Sequence, residues 1–585
     1  MPLYSNVNTA SLKEVYDYII IGGGTAGCVL ANRLSQHPEV TVLLIERGKL
    51  GDGWAAKVPL FSSHFASNGS RSKVWNSTPQ EHLGGRRIEL VGGNALGGSS
   101  RINATLHYRG APGEYNGWAQ DGFAKEWKYE NLEPYFVRSE KNLDLHGRKR
   151  DFHGYSGEWS NRSHNKLYWS HSEHFIKASS ALGLPYIEDP NSPLNPPHGC
   201  TKIHYNIDSS GYRSSAATAF LPESLIRDRS DRLHVCLDVL VNRMAFRDGP
   251  DGTIAEGIFF HKNDPCQERD ASGPTRYARA KREVILTAGP IGSPHLMLLS
   301  GIGPQRHLLD HGIKVVKDLP GVGSHLQDHL SVPVQFQVPF ADSLVKIQAR
   351  PWLILIELLR FVIFGIGLFL SPVLELSIFI HSRLIDNDLR VAQRLKADMD
   401  ANSPQNCPDL EVMPIAWGDV SKHGKGGLTF FVVTLHPTSL GTVRLASDDP
   451  FTAPNIDPNY YSTEKDRVTM RKGVRFALRL AEEMRDQGYS ITPSIVPMTG
   501  DDADIDKFAL SRAQSTFHYS STCRMAPEQV GGVVDERLHV YGVRNLRIAD
   551  SSVFPEIIGT HLAAGTVAVA EKCSDMILED WKARP

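Results

Sequence analysis

Residues Tyr16–Gly48, with the sequence YDYIIIGGGTAGCVLANRLSQHPEVTVLLIERG, contain the pattern that predicts the fold class most directly. Tyr18–Ile21 is a β-branched run typical of a buried strand, Cys28–Leu34 has helical spacing, and Thr41–Ile45 has the pattern of a second strand. Between the first strand and the helix lies Gly22–Gly27 (GGGTAG), a G-x-G-x-x-G turn. The order strand, glycine turn, helix and strand predicts a βαβ unit that binds a dinucleotide.

Each part of this unit has a physical reason. Gly22 permits the tight turn, Gly24 lets the backbone approach a pyrophosphate, and Gly27 lets the helix and strand pack closely. The free N–H groups at the start of the helix face the anion. Glu46, 24 residues after Gly22, is placed to accept hydrogen bonds from ribose hydroxyls. The unit alone fits either NAD or FAD.

Length and composition limit the class of protein. The 585 residues correspond to about three or four domain-sized units. A formal charge of -2 offers no basic field for nucleic acid, so we expect no nucleic-acid partner. Seven scattered cysteines fit neither a disulfide framework nor zinc-ligand spacing, and no metal site is expected. Residues 1–15 lack a secretory h-region, which favours an intracellular, cytoplasmic protein.

One apolar segment, Pro351–Pro372 (PWLILIELLRFVIFGIGLFLSP), approaches the length of a membrane span. Glu357 and Arg360 lie within it, and Gly365 and Gly367 interrupt its second half. Because a charged residue at mid-span costs about 2.5–3.5 kcal/mol, we predict buried helices or a channel-lining segment rather than a transmembrane helix. Attachment to a membrane surface is the lesser alternative.

Further blocks follow the βαβ unit in a fixed order. They are Gly93–Gly110, Gly289–Gly303, Leu319–Gly323, Leu326–His329, His436–Gly441, Asn455–Tyr460, His518–Met525 and Asn545–Glu571. Together with the N-terminal unit, this series resembles the glucose-methanol-choline (GMC) oxidoreductase family across nearly the whole chain. The resemblance implies that FAD is the cofactor.

The resemblance also implies an α/β fold, α+β overall, in which a Rossmann-like FAD-binding domain is interleaved with a substrate-binding domain. The second domain is built on an antiparallel sheet with helices. We expect residues 14–155, 208–324 and 526–585 to form the FAD-binding domain, and residues 156–207 and 325–525 to form the substrate-binding domain.

The same resemblance assigns the cofactor contacts. They are Gly22, Gly24, Thr25, Ala26 and Gly27 at the pyrophosphate, Glu46 at the adenosine ribose, Val241 near the adenine, Asn94, Gly98, Ser99 and Asn103 around the flavin, and Asp550 with Ser551 near the ribityl phosphate, with Trp75, Arg101 and Tyr108 as further candidates.

Two of the 24 histidines are distinguished by their setting in the blocks that carry the resemblance. Alcohol oxidation needs a base for the hydroxyl proton, and imidazole titrates near neutral pH. His518 and His561 lie 43 residues apart in glycine- and serine-rich blocks, which a strand, a turn and a helix could bring to one cavity. The resemblance implies that His518 is the base and that His561 hydrogen-bonds the substrate oxygen. Ser521 stands where the family usually has glycine.

The expected function is FAD-dependent oxidation of a CH–OH group to a carbonyl, with hydride transfer to flavin N5. The apolar region Trp352–Phe379 is expected to line the access route, which favours a small, moderately hydrophobic alcohol. Reduced FAD would pass its electrons to dioxygen or another acceptor, and a natural-product biosynthetic pathway is the expected setting. The alternative is a non-redox lyase or cyclase, like hydroxynitrile lyase, that uses the histidine pair for acid/base chemistry alone.

Overall fold

The computed structural model describes residues 12–62, 71–119, 122–144, 151–164, 166–250, 252–263, 275–370, 374–392, 396–419 and 424–582. In chain order, the strands within these ranges are β1 (Val15–Ile21), β2 (Val42–Glu46), β3 (Ser72–Asn76), β4 (Glu89–Gly93), β5 (Glu140–Asn142), β6 (Trp159–Ser163), β7 (Tyr186–Ile187), β8 (Gly199–Lys202), β9 (His204–Tyr205), β10 (Leu233–Leu237), β11 (Val239–Gly249), β12 (Gly252–Lys262), β13 (Arg276–Leu286), β14 (Ile302–Gly303), β15 (Lys317–Asp318), β16 (Leu330–Pro339), β17 (Leu376–Ile380), β18 (Leu410–Ile415), β19 (Lys425–Thr434), β20 (Thr442–Arg444), β21 (Asn455–Asp457), β22 (Thr492–Ile495), β23 (Gln514–Ser515), β24 (Val543–Arg544) and β25 (Leu546–Ile548).

The helices of the same ranges are α1 (Thr25–Leu34), α2 (Trp54–Lys57), α3 (Pro59–Ser62), α4 (Pro112–Trp118), α5 (Tyr129–Ser139), α6 (Ser170–Ala181), α7 (Ala216–Phe220), α8 (Glu223–Asp228), α9 (Gly289–Leu299), α10 (Gln305–Asp310), α11 (Val345–Ala349), α12 (Trp352–Phe364), α13 (Glu464–Asp486), α14 (Asp502–Arg512) and α15 (Ala563–Lys582).

The first large sheet contains the predicted βαβ unit. Its strand order is β10-β2-β1-β13-β12-β11, with β24 beside β12 and β25 beside β13. β1 runs parallel to both β2 and β13, and Ile20 lies opposite Leu44 on one side and Ile285 on the other. Tyr18–Ile21 is buried, as expected for a parallel strand covered on both faces. The helices α1 and α15 pack against each other beside this sheet.

The second large sheet is mostly antiparallel. Its order is β22-β16-β19-β18-β17-β8-β7, with β23 beside β16. α13 packs against β16, β18 and β19 through an apolar face that includes Met470, Val474 and Leu480. Thr463 is the N-cap of this helix, and its side chain accepts a hydrogen bond from the backbone N–H of Asp466. The predicted fold class, a Rossmann-like unit combined with an antiparallel sheet and helices, is confirmed.

The apolar segment differs from its prediction. α12 ends at Phe364, and Gly365 caps the helix with a left-handed backbone conformation. A large part of the apolar surface of α12 faces outward. The prediction of buried or channel-lining helices was therefore wrong for α12, because only a narrow face around Glu357 and Phe361 meets the rest of the protein. Residues 371–373 lie outside the described residues. In the described part of the chain, every helix falls short of the length or the apolarity that crossing a bilayer requires.

Candidate active site

The glycine turn after β1 forms a close-packed cradle. Gly22 has a φ of 106°, and a Cβ at this position would lie 2.5 Å from the carbonyl oxygen of Thr287. A Cβ on Gly27 would lie 2.0 Å from the carbonyl oxygen of Gly22. Because α1 begins at Thr25, its first N–H groups have no intrahelical partners and point toward the turn.

A cavity of about 540 Å³ extends from this turn to the predicted histidines. Most predicted cofactor residues line it: Gly22, Gly24, Thr25, Ala26, Glu46, Asn94, Gly98, Ser99, Asn103, Val241, Asp550 and Ser551. Trp75 lines it as well. Gly27 lies behind the turn, where it permits close packing, and Arg101 instead pairs with Asp52, with 3.2 Å between nitrogen and oxygen.

Glu46 ends β2 at the edge of the cavity. Its Oε2 accepts a hydrogen bond from the N–H of Gly23 at 2.8 Å, and its Oε1 accepts one from the N–H of Gly48 at 2.7 Å. Burial raises the pKa of this carboxyl group to about 7, although the two backbone donors act in the opposite direction. The carboxyl group is thereby fixed in place, with further lone pairs for a ligand hydroxyl.

Asp550 joins two chain segments that are distant in sequence. It follows β25, and its Oδ2 accepts hydrogen bonds from the N–H of Gly289 at 2.9 Å and from Ser293 Oγ at 2.7 Å, both at the start of α9. Burial raises its pKa. The neighbouring Ser551 donates a hydrogen bond to the carbonyl oxygen of Tyr519 at 3.2 Å. These bonds connect the cofactor end of the cavity to the loop that carries His518.

The residues fit the dinucleotide that the sequence implies. The cradle of Gly22 admits an approaching backbone or phosphate, the start of α1 favours an anion, and Glu46 offers hydrogen-bond acceptors. The cavity is also long enough to extend past Asp550 to the histidine loop.

The two predicted histidines meet at the other end of the cavity. His518 Nε2 and His561 Nδ1 lie 3.2 Å apart, and the rings are edge-to-face with centroids 4.9 Å apart. His561 comes from the loop before α15, and the Tyr108 ring stacks on it at 5.7 Å. His518 comes from the loop after β23. The fold therefore brings together side chains that are 43 residues apart in sequence.

A buried carboxyl group holds the backbone of the His518 loop. Asp328 Oδ1 accepts a hydrogen bond from the N–H of His518 at 2.7 Å, and its Oδ2 accepts hydrogen bonds from Ser515 Oγ and the Tyr460 hydroxyl. Burial raises the pKa of Asp328 to about 6. Further along this loop, Ser521 adopts a φ of 69°. The serine thus occupies the left-handed conformation that usually favours glycine.

Two further residues in contact with the pair were not predicted. His329 Nδ1 lies 3.0 Å from His518 Nδ1, and Glu411 Oε1 lies 3.3 Å from His561 Nε2. Glu411 also accepts a hydrogen bond from Ser377 Oγ at 2.7 Å. Glu411 could have been suspected as a lone acid within the apolar strand β18, and His329 lies inside a motif that the sequence analysis had already noted.

The electrostatics keep His518 neutral. Burial, followed by the neighbouring imidazoles of His561 and His329, holds the pKa of His518 well below its usual value. Burial likewise lowers the pKa of His329. A neutral imidazole at the end of the cavity can accept a proton, and Glu411 can accept the Nε2–H of His561 and so orient that ring.

The wall beside the histidines is apolar. Met413 and Ile415 lie on the same face of β18 as Glu411, because side chains alternate along a strand. Phe431 lies opposite Met413 on β19, and Leu374 completes this part of the cavity. Of the region Trp352–Phe379 that was expected to line the access route, Leu374 lines this cavity and residues 352–370 do not.

Two family models match long parts of the chain. The model described as the N-terminal part of GMC oxidoreductase matches residues 16–331, and the C-terminal one matches residues 437–570. Together they cover more than half of the 585 residues. The chain belongs to the GMC oxidoreductase family, and it is an FAD-dependent oxidoreductase acting on alcohols.

Individual relatives extend along nearly the full chain. "Dehydrogenase str4" of Strobilurus tenacellus is 32% identical and covers 96% of this chain and 94% of its own. "Oxygen-dependent choline dehydrogenase" of Vibrio vulnificus is 33% identical, with 97% and 95% covered. The solved structure of an FAD-dependent oxidoreductase from Chaetomium thermophilum has a TM-score of 0.83 at 25% identity and covers 97% of this chain and 100% of its own.

Proposed function

We propose that this protein oxidises a neutral, moderately hydrophobic alcohol, aryl or aliphatic, to its carbonyl compound, with His518 as the base. The observation that carries the proposal is the pairing of His518 and His561, 3.2 Å apart, beside an apolar wall. Bound FAD supplies the two-electron oxidant for the carbinol carbon. Dioxygen or another acceptor would restore the oxidised cofactor.

In this proposal each of the protein's own groups has a separate role. His518, neutral because of its burial, accepts the hydroxyl proton. His561 would place its Nδ1 beside the substrate oxygen and His518, and the hydrogen bond from its Nε2 to Glu411 fixes the orientation of its ring. Met413, Ile415 and the rest of the apolar wall exclude water and position the carbon chain. The residues assigned around the cofactor, from Gly22 to Ser551, would hold FAD.

The charge of the wall argues for a neutral substrate. In the described part of the cavity lining, the carboxyl groups belong to Glu46 and Asp550, which lie at the cofactor end. Glu411 is buried behind His561 and does not line the cavity. A quaternary ammonium alcohol such as choline would therefore be desolvated without a counterion. We propose that choline, which appears in the names of several relatives, is a poor substrate here.

Anaerobic mixing of the FAD-loaded protein with alcohols tests this proposal. We expect benzyl alcohol and hexanol to bleach the oxidised flavin absorbance and choline to leave it unchanged over the same time. Benzoate, which lacks a carbinol, is the matched control. Bleaching by choline alone would contradict the substrate class, and product formation without bleaching would instead establish the lyase alternative. A role in natural-product biosynthesis stays a prediction.

A further inference from the structure

The outward side of α12 carries an apolar surface that a water-facing helix would not normally present. We call this surface the α12 patch; it consists of Trp352, Ile354, Leu355, Ile356, Leu359, Val362, Ile363, Phe364 and Ile366. Trp352 is 61% exposed and Phe364 is 69% exposed. Single exposed apolar residues are ordinary in proteins, but a contiguous set of this size marks an interaction surface.

Hydrogen bonds and ring packing attach the inner side of α12 to the rest of the protein, so the opposite side is exposed. Glu357 Oε1 accepts a hydrogen bond from Arg360 at 2.9 Å, and its Oε2 accepts one from the N–H of Leu368 at 2.8 Å. Phe361 packs edge-to-face against Tyr212. The chain then turns back at Gly365, where φ is 60°. These contacts fix which side of the helix faces outward.

The charges around the patch favour an anionic partner. Between residues 345 and 370 the charged side chains are Lys346, Arg350, Glu357 and Arg360. Glu357, the one acid, is only 7% exposed and is paired with Arg360. The Lys346 ammonium lies over the rings of Tyr168 and Trp169 and donates to the carbonyl oxygen of Ala341 at 2.8 Å. Arg350 is exposed and lies with Trp352 at one end of the helix, so the outward charge of this segment that Glu357 does not pair is positive.

We propose that the α12 patch docks on the surface of an anionic lipid bilayer, with the helix lying in the plane of the interface. Leu, Ile and Phe side chains would enter the acyl boundary, and the exposed Arg350 would meet the lipid phosphates. Trp352 suits the headgroup level of a bilayer. The helix would lie on the bilayer and not span it, in keeping with its 13 residues.

A second copy of this chain fits the patch less well. In a twofold interface the same surface faces itself, and residues 345–370 of a second copy offer no outward acid to pair with Arg350, because Glu357 is buried and already paired with Arg360. Docking on lipid has a further consequence for the active site. Leu374, four residues beyond Leu370, lines the cavity beside the histidines, so a docked enzyme would have its apolar wall near the bilayer. The docking itself does not depend on the substrate proposed above.

Vesicle flotation of the FAD-loaded full chain tests the proposal. We expect it to float with phosphatidylcholine vesicles that contain phosphatidylserine, and to float at least about tenfold less with the triple variant Leu355→Glu, Val362→Glu, Phe364→Glu. Arg350→Gln should reduce the preference for phosphatidylserine. Leu194→Glu, at an apolar residue that is 82% exposed outside α12, is the matched control and should float like the parent.

Two readouts keep the result interpretable. Flavin content and turnover of a water-soluble alcohol should be unchanged in the triple variant, which shows that it folds. Light scattering of the parent gives its oligomeric state. The proposal is overturned if the parent does not float or if the triple variant floats equally well. It is also overturned if the parent forms a dimer that the triple variant loses while neither protein binds vesicles, since the occupant is then a second copy.

Discussion

Replacing His518 by asparagine removes the proton acceptor but keeps a polar side chain of similar reach. Of the two imidazoles in contact with His518, His329 lies behind it and His561 contacts Glu411 through its Nε2. General-base catalysis typically contributes 10²- to 10⁴-fold, which corresponds to about 2.7–5.5 kcal/mol of barrier. We expect a loss of that size in the rate of the oxidation step for His518→Asn.

The assay is the anaerobic rate of flavin bleaching per bound FAD at saturating alcohol, which separates the oxidation step from cofactor loading and from reoxidation. His37→Asn, at a half-buried histidine remote from the cavity, is the control and should react like the parent. We expect His561→Asn to lose less, because an amide can still hold the substrate oxygen. A His518→Asn rate within about threefold of the parent would refute the assignment of the base.

The remaining predictions concern pH and the glycine cradle. Because the pKa of His518 lies well below its usual value, kcat/KM should stay level through neutral pH and decline only in acid, where the imidazole becomes protonated. His329→Asn removes one of the two neighbouring imidazoles that lower this pKa, so the acidic decline should move to higher pH; an unmoved profile would contradict the coupling. Gly27→Ala places a Cβ 2.0 Å from the carbonyl oxygen of Gly22 and should abolish FAD binding, measured as the ratio of flavin to protein absorbance. Gly53→Ala, where an added Cβ meets nothing within 4 Å, should bind FAD normally, and normal binding by both variants would count against the cradle.

The predictions that depended on local pattern were the most secure. The βαβ unit is encoded within about thirty residues, because a β-branched run, a glycine turn and a helical repeat each act on their immediate neighbours. α13 (Glu464–Asp486) is also encoded locally, because its buried apolar residues recur at helical spacing. The positive φ of Ser521 could not be predicted from its residue type, because serine does not favour this conformation. The surrounding loops impose it.

The histidine pair could be predicted from the sequence only in part. Imidazole chemistry and the resemblance to a family singled out His518 and His561 among 24 histidines, but the 3.2 Å between them is a product of folding. Glu411 and His329 stand out in the sequence, but their contact with the pair could not be predicted from it. Glu411 lies 150 residues from His561, and His329 lies 189 residues from His518. Which strands place these groups side by side depends on the packing of whole sheets.

Sequence alone therefore determined the dinucleotide-binding unit and the family resemblance, and it singled out the two histidines, since each of these depends on short runs of residue types. Tertiary structure decided which groups surround the histidine pair, and also which side of the apolar helix α12 faces outward. Hydropathy measures how strongly a segment avoids water, but burial depends on whether another part of the chain has a surface to cover it. In this protein the inner side of α12 is covered, and the outer side is left for a partner.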